Sequence, residues 1–250
     1  MFVKSIPDAS GEVTLGPDHL VQREGEGVLD PGDEYAVEAA LTVTETSDGE
    51  VTVVSMGPPN ASAAIRRALA MGAHRAVHVK DDALRGADVL ATAKVLAAAA
   101  SRTSFDLLLA GVESTDGYTG TLPMTVAELL GVPSATFARK IEATEGAVRV
   151  ERQTDAGFDL VECPLPALVT VTASAAEPRF PTLKGIMAAK QKPFEELSVA
   201  DLGLDAGDLK PSQRVVSVEP AEEKATGEVI RDDDDAPARI VRFLTEAKVF

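Results

Sequence analysis

Apolar positions in the first half of the chain alternate between two spacings. Met1–Ile6, Glu50–Met56, Ala76–Val79 and Phe105–Ala110 are short β-branched or leucine-rich runs with the length and turn boundaries of buried strands. Between them, apolar residues recur three and four apart. The first such stretch follows Asp30-Pro31-Gly32-Asp33-Glu34, with Asp33 as the expected N-cap and Tyr35, Val37, Ala40 and Leu41 as its stripe. The second, ending at Gly72, places Ile65, Ala68 and Leu69 on one face and offers Asn60 or Ser62 as its cap. The third, Gly86–Ala100, turns Val89, Leu90, Ala93, Leu96 and Ala97 inward. The fourth groups Leu122, Val126, Leu129 and Leu130 and stops at Gly131 and Pro133. Strand and helix thus alternate four times, which predicts an α/β fold: a doubly wound, mainly parallel sheet with its sites at the carboxyl ends of the strands.

The pattern changes after Pro133. Ser134–Ala143, Ala147–Gln153, Phe158–Cys163 and Ala167–Thr172 are strand-like and separated by turn signals, which predicts an antiparallel addition to a sheet edge or a rim around the site. Before the first helix, the stretch from Pro7 to Leu29 reads as an excursion with a small hairpin near Val13–Val21. Glu177–Pro193 is a proline-punctuated loop containing a short helical stretch, Ile186–Lys190. Beyond Pro193 the apolar periodicity thins to a strand-like Arg214–Val218, an acidic run Asp232–Asp235 and an amphipathic segment Pro237–Phe250. The division expected is an α/β domain over 1–192 and an arm over 193–250 packed on something else.

Composition removes several classes of function. A hydrophobic content of 45% excludes wholesale disorder, and a net charge of −16 argues against nucleic acid or an anionic membrane as a partner. So acidic a chain suits a high-salt cytoplasm, for which unfolding in low salt and recovery in molar salt is the expected sign. The single cysteine, Cys163, leaves no internal disulfide and fits a reducing compartment; it has no basic neighbour to activate it. The N-terminus lacks the apolar core of a signal peptide, and no run approaches a membrane span. His19, His74 and His78 are scattered without partners at metal-ligand spacing, so solvated or capping roles are expected, with His74 near a helix C-terminus. Ser55, Ser62 and Ser114 have no nucleophile-elbow setting.

The stretch with chemical content is Phe105–Pro133: a buried strand, a polar loop Gly111–Gly120, and a helix start. Unpaired N–H groups and the positive dipole end make such a start an anion site. Gly117 and Gly120 allow close backbone approach, while Thr119 and Thr121 add hydroxyl donors. An ordinary βα turn reads the same way, and the loop is neither a P-loop nor a GxGxxG motif.

Ordered motifs along most of the chain resemble the beta subunit of electron transfer flavoprotein. They include Val3-Lys4, the run Asp30–Ala40 (similar to the family's NPFDEYAVEEA), Ser55–Pro58, and Ile65–Gly72 with Ala73-His74-Arg75. They continue in Asp116–Gly120, in Val150-Glu151-Arg152 through Leu165–Val171, and in Glu177–Lys190. The resemblance implies a Rossmann-like subunit that pairs with an alpha subunit around one redox-active FAD held mostly by the alpha chain. It implies electrons taken from acyl-CoA dehydrogenases and delivered to a membrane quinone oxidoreductase. Carried over by position, the cofactor-binding residues are Phe2, Val3, Lys4, Asp30, Pro31, Gly32, Asp33, Met56, Asp116, Gly117, Thr119, Gly120, Thr121 and Leu122. The docking residues are Arg179, Phe180, Leu183, Ile186 and Met187, with Leu183 as the apolar knob. The domain over 1–192 is then nucleotide-binding, and 193–250 packs on the partner subunit.

Departures from the family pattern fall in the site: Asp30 for Asn, Gly32 for Phe, Val112 for Lys, Tyr118 for Asp and Pro123 for Gly. They leave the ligand open between AMP and a second FAD. The resemblance makes the chain an electron carrier subunit rather than an enzyme. The alternative is an ATP-binding regulatory or adenylating α/β protein, against which stands the lack of a γ-phosphate loop such as SGGxDS.

Overall fold

The computed structural model describes residues 1–8, 13–219, 227, 229 and 235–249. Chain contacts divide it into two compact units, Met1–Val215 and Val216–Phe250.

The first unit is α/β. In chain order it contains β1 (Ser5–Ile6), β2 (Val28–Leu29), α1 (Pro31–Glu45), β3 (Thr52–Met56), α2 (Ser62–Met71), β4 (Arg75–Val79), α3 (Val89–Ala100), β5 (Leu107–Gly111) and α4 (Leu122–Leu130). Then follow β6 (Ser134–Thr144), β7 (Ala147–Thr154), β8 (Gly157–Pro164), β9 (Ala167–Val171), α5 (Leu183–Ala189) and β10 (Phe194–Leu197). Two strand groups, β10-β4-β3 and β5-β9-β6-β7-β8, flank the extended residues Met1–Val3. Phe2 N–H donates to Leu109 O at 2.8 Å, while Val3 N–H donates to Val54 O at 3.1 Å and Val54 N–H to Met1 O at 2.8 Å. The N-terminal residues therefore join the two groups, and every pairing from β10 to β3 and from β5 to β6 is parallel.

Side-chain alternation in these strands explains the two cores. Met1, Val3, Val53, Leu109 and Val169 pack with α1 and α2, whereas Phe2, Val54, Leu108, Leu168 and Val79 pack with α3 and α4. Helices thus cover both faces, which is why the strands read as continuous apolar runs.

Several expectations need correction. The first strand is split, because the chain leaves the main sheet after Val3 and Ser5–Ile6 pairs antiparallel with Val28–Leu29. The N-cap of α1 is Asp30, not Asp33. Neither Asn60 nor Ser62 caps α2; Asn60 instead donates its amide to the carbonyls of Arg23 and Gly25. Leu90 is exposed rather than inward, since it occupies the first turn of a helix capped by Asp88. The antiparallel addition comprises β6, β7 and β8 only. β9 enters the interior instead, parallel to β5 and β6, because all five of its residues are buried and need partners on both sides. Arg214–Val218 forms no strand, and its valines at 215, 216 and 218 are exposed.

The hairpin near Val13–Val21 is present as an antiparallel Leu15–Val21 bridge. β10 lies at the sheet edge, so the first unit continues past residue 192 to Val215. In the second unit, α6 (Ala236–Glu246) is amphipathic, with Ile240, Val241 and Phe243 exposed. Of the acidic run, Asp232–Asp234 lie outside the described residues.

Leu168 is wholly buried at the centre of this arrangement. Leu168→Ala is expected to lower unfolding free energy by about 2–5 kcal/mol, measured as a shift in denaturant midpoint at unchanged slope.

Candidate functional site

The carboxyl end of β5, the start of α1 and the residues after Val3 meet around two acidic side chains. Asp30 is fully buried. Its Oδ1 accepts from Gly32 N–H at 2.8 Å, the N-cap bond of α1. Its Oδ2 accepts from Thr115 N–H at 2.7 Å and from the Thr115 hydroxyl at 2.9 Å. Asp30 N–H in turn donates to Lys4 O at 3.0 Å. One carboxylate therefore ties helix α1 to the loop after β5.

Asp33, one turn along, accepts from Lys4 N–H at 2.7 Å and Gly111 N–H at 3.3 Å. Burial, followed by the neighbouring charge of Asp30, raises its pKa to about 7. Gly111 is required here: a Cβ would stand 2.7 Å from Asp33 Oδ1 and 3.3 Å from the Gly32 backbone.

The third carboxylate is Asp116, whose side chain is 3% exposed. Lys4 Nζ donates to it at 2.6 Å and to Ser114 Oγ at 3.1 Å, and Arg23 donates to its other oxygen. Burial works against ionisation of Asp116, but Lys4 and then Arg23 outweigh it and hold the carboxyl below its usual range. Arg23 also donates to Ser5 O at 3.1 Å, so the excursion is strapped across the loop.

Beyond Asp116, Tyr118 (φ 48) and Gly120 (φ 61) take the left-handed conformation that turns the chain into α4. The Tyr118 ring is 67% exposed at the loop tip. Thr121 precedes α4 and makes no side-chain cap bond, leaving the first-turn N–H groups without a side-chain acceptor. Those donors and the dipole end are the groups that an anion site at this helix start would use.

Met56 ends β3 at the same edge, followed by Gly57, whose N–H donates to Val79 O at 3.1 Å. Its carbonyl accepts from His78 Nε2 at 3.1 Å; a carbonyl only accepts, so Nε2 carries the proton. His78 is fully buried, contrary to the solvated role expected, and burial lowers its pKa. Among the described residues, its Nδ1 and the Ser55 hydroxyl have no hydrogen-bond partner. His74 is not a cation facing a helix end either: its Nδ1 accepts from Val51 N–H at 3.0 Å. Cys163 is buried, and its thiol is pushed up by that burial.

Of the residues predicted for this site, Lys4, Asp30, Gly32, Asp33, Asp116 and Gly117 are brought together directly. Phe2 and Val3 lie beneath them with their N–H groups engaged in the sheet. Pro31 is the first residue of α1, while Thr119, Gly120, Thr121 and Leu122 form the approach to α4 and its first residue. Sequence reasoning missed Arg23 and Thr115. Nothing local marks either one, because their partners are 93 and 85 residues away in the chain.

The residues expected to dock a partner lie apart in sequence, around α5. Thr182 caps this helix, accepting from Gly185 N–H at 3.0 Å. Phe180, Leu183, Ile186 and Met187 are 85%, 78%, 47% and 59% exposed. Arg179 is not free, since its guanidinium is bound to Glu38 and Glu45 of α1.

These features define a doubly wound α/β protein with a glycine-bearing loop, tied down by buried carboxylates, at the carboxyl ends of its strands. The sequence profile of the electron transfer flavoprotein domain matches residues 18–202. The electron transfer flavoprotein subunit beta of Mycobacterium tuberculosis is 38% identical over 260 residues, covering 100% of this chain and 98% of the relative. That of Mycobacterium leprae is 40% identical with the same coverage, and that of Bacillus subtilis 35% identical over 252 residues, again covering 100% and 98%. The chain belongs to the electron transfer flavoprotein family, in its beta-subunit branch.

The raised pKa of Asp33 makes stability depend on pH. The unfolded carboxyl titrates near 3.8 and the native one at about 7, so the native state retains the proton across that interval. Stability is then greatest below the interval and declines as pH rises through it. Asp33→Asn is expected to flatten the change in unfolding midpoint across this window; an unaltered slope would assign the titration to another group.

Proposed function

We propose that this chain is the beta subunit of a heterodimeric electron transfer flavoprotein. It carries electrons from acyl-CoA-type dehydrogenases to a membrane quinone oxidoreductase, working with an alpha subunit in the cytoplasm. The observation that carries this reading is the short helix α5, which presents Leu183 with Phe180, Ile186 and Met187 to solvent. Exposed apolar side chains on a small surface suit a partner that binds briefly and leaves.

The loop after β5 holds an adenine nucleotide, either AMP or a second FAD. The residues present fit such a group: the uncapped start of α4 and the left-handed turn at Gly120 leave backbone donors for a phosphate. Thr119, Thr121 and the backbone from Gly117 to Leu122 would hold the phosphate, with Met56 and the Phe2–Lys4 backbone bordering the rest. Lys4, Asp30, Asp33 and Asp116 keep the loop in shape for it. The FAD shared with the alpha subunit supplies the redox chemistry when bound. This chain's part is to fix the neighbouring surface and present the docking helix. The arm, which begins only after Val215, packs on the alpha subunit, with the apolar face of α6 as its best-suited surface.

Co-expression with the cognate alpha chain is expected to give a yellow heterodimer that releases one adenine compound from this subunit on denaturation, identified by mass. Leu183→Ala is expected to weaken electron acceptance from a dehydrogenase by about tenfold at unchanged unfolding midpoint. A colourless complex, or one without an adenine compound, would overturn the nucleotide reading. Unchanged transfer kinetics would overturn the docking one.

A further inference from the structure

A helix of seven residues with its apolar side turned to water does not hold its own shape. Segment 179–192 is nevertheless fastened at three places, and none of the fastening uses its exposed apolar side chains. At its start, Arg179 forks onto Glu38: Nε donates to Oε2 at 2.7 Å and Nη2 to Oε1 at 2.7 Å, while the Arg179 backbone N–H donates to Oε2 at 3.1 Å. Nη1 reaches Glu45 at 2.8 Å. In the middle, Gly185 lies directly on α2, where a Cβ would come 2.5 Å from Ala70 O. At the end, Lys192 Nζ donates to Leu69 O at 2.8 Å and Ala73 O at 2.6 Å, the carbonyls at the close of α2.

Glu38 differs from its neighbours on α1. Ala36, Val37, Ala39, Ala40 and Leu41 bury apolar surface in the core, which secures the helix without help from Glu38. The Glu38 carboxylate is itself nearly buried, with 10% of its side chain exposed, and both its oxygens are turned to Arg179. A paired, hydrogen-bonded charge at this depth is a fixed point, unlike an exposed ion pair. Arg179 holds the Glu38 carboxyl below its usual range, so the fork persists through neutral pH.

We infer that Glu38 is a positioning residue for electron transfer: through Arg179 it holds Phe180, Leu183, Ile186 and Met187 in the arrangement that a flavoprotein dehydrogenase meets. The inference rests on the docking reading of α5. Its physical content is preorganisation, since ordering the segment before encounter removes that entropy cost from association. Glu45, 58% exposed, is the weaker half of the clamp.

The test uses the purified heterodimer and an acyl-CoA dehydrogenase as donor, measuring rate against heterodimer concentration. Glu38→Gln keeps the shape and removes the charge. It is expected to raise the half-saturating concentration by about tenfold while the limiting rate, flavin content and flavin potential stay unchanged. Glu45→Gln moves the same parameter by less, and Arg179→Lys, which keeps charge but loses the fork, falls between. Leu183→Ala in parallel separates the two readings. If it raises half-saturation and Glu38→Gln does not, the positioning role is overturned and docking stands. If neither moves it, docking itself fails. A fall in limiting rate and flavin content together would make Glu38 merely structural and also overturn the proposal. Should Glu38→Gln not fold, Glu45→Gln with hydrogen exchange across Arg179–Lys190 decides. Faster exchange with raised half-saturation supports the clamp, and no change in either overturns it.

Discussion

A carboxylate removed from water is costly unless each of its lone pairs meets a donor. Asp30 meets that condition with three donors, two of them from Thr115, and its own N–H is taken by Lys4 O. The start of α1, the residues leaving the central sheet and the loop after β5 are consequently one unit. Moving any of them would strand a buried charge. Asp33 repeats the arrangement one turn further in, with Lys4 and Gly111 as donors. Burial and then the neighbouring charge of Asp30 raise the Asp33 pKa to about 7.

The acidity of the chain is spent differently in different places. On the outer face of β6–β8, Arg139–Glu151, Lys140–Glu142 and Arg149–Glu162 are exposed pairs. Each is worth a few tenths of a kcal/mol to about 1, and their use is in solubility and strand register. Asp116 and Glu38 are the opposite case: shielded carboxylates, each held by guanidinium or ammonium partners from a distant part of the chain. Those pairs order segments that bury few apolar side chains of their own. The first orders the cradle before α4, the second the approach to α5. Both segments are held largely by polar contacts, with Ala189 of α5 as the buried apolar exception.

The central position of Met1–Val3 connects the two surfaces to the fold. Its residues divide between the two cores, and its hydrogen bonds run to β3 on one side and β5 on the other. Lys4 emerges from this segment between the carboxyl ends of both strands. A lysine there reaches Asp116 and Ser114 without any long loop to carry it.

The amino-acid sequence by itself determined the local structure: α1 to α4, the parallel strands between them and the β6–β8 meander follow from spacing that no distant contact has to supply. Gly131 as a left-handed stop after α4 is of this kind. The tertiary structure alone decided pairings between residues with no mark of their partner. Of two aspartates three apart, Asp30 became the cap because only it also reaches Thr115. β9 was drawn between β5 and β6 because burial on both faces demands two neighbours, whereas Arg214–Val218 has the composition of a strand and pairs with none of the described strands. Arg23, His78 and the Glu38–Arg179 clamp were invisible for the same reason: a periodic pattern records which face of an element is dry, while charge pairing depends on which faces the fold brings together.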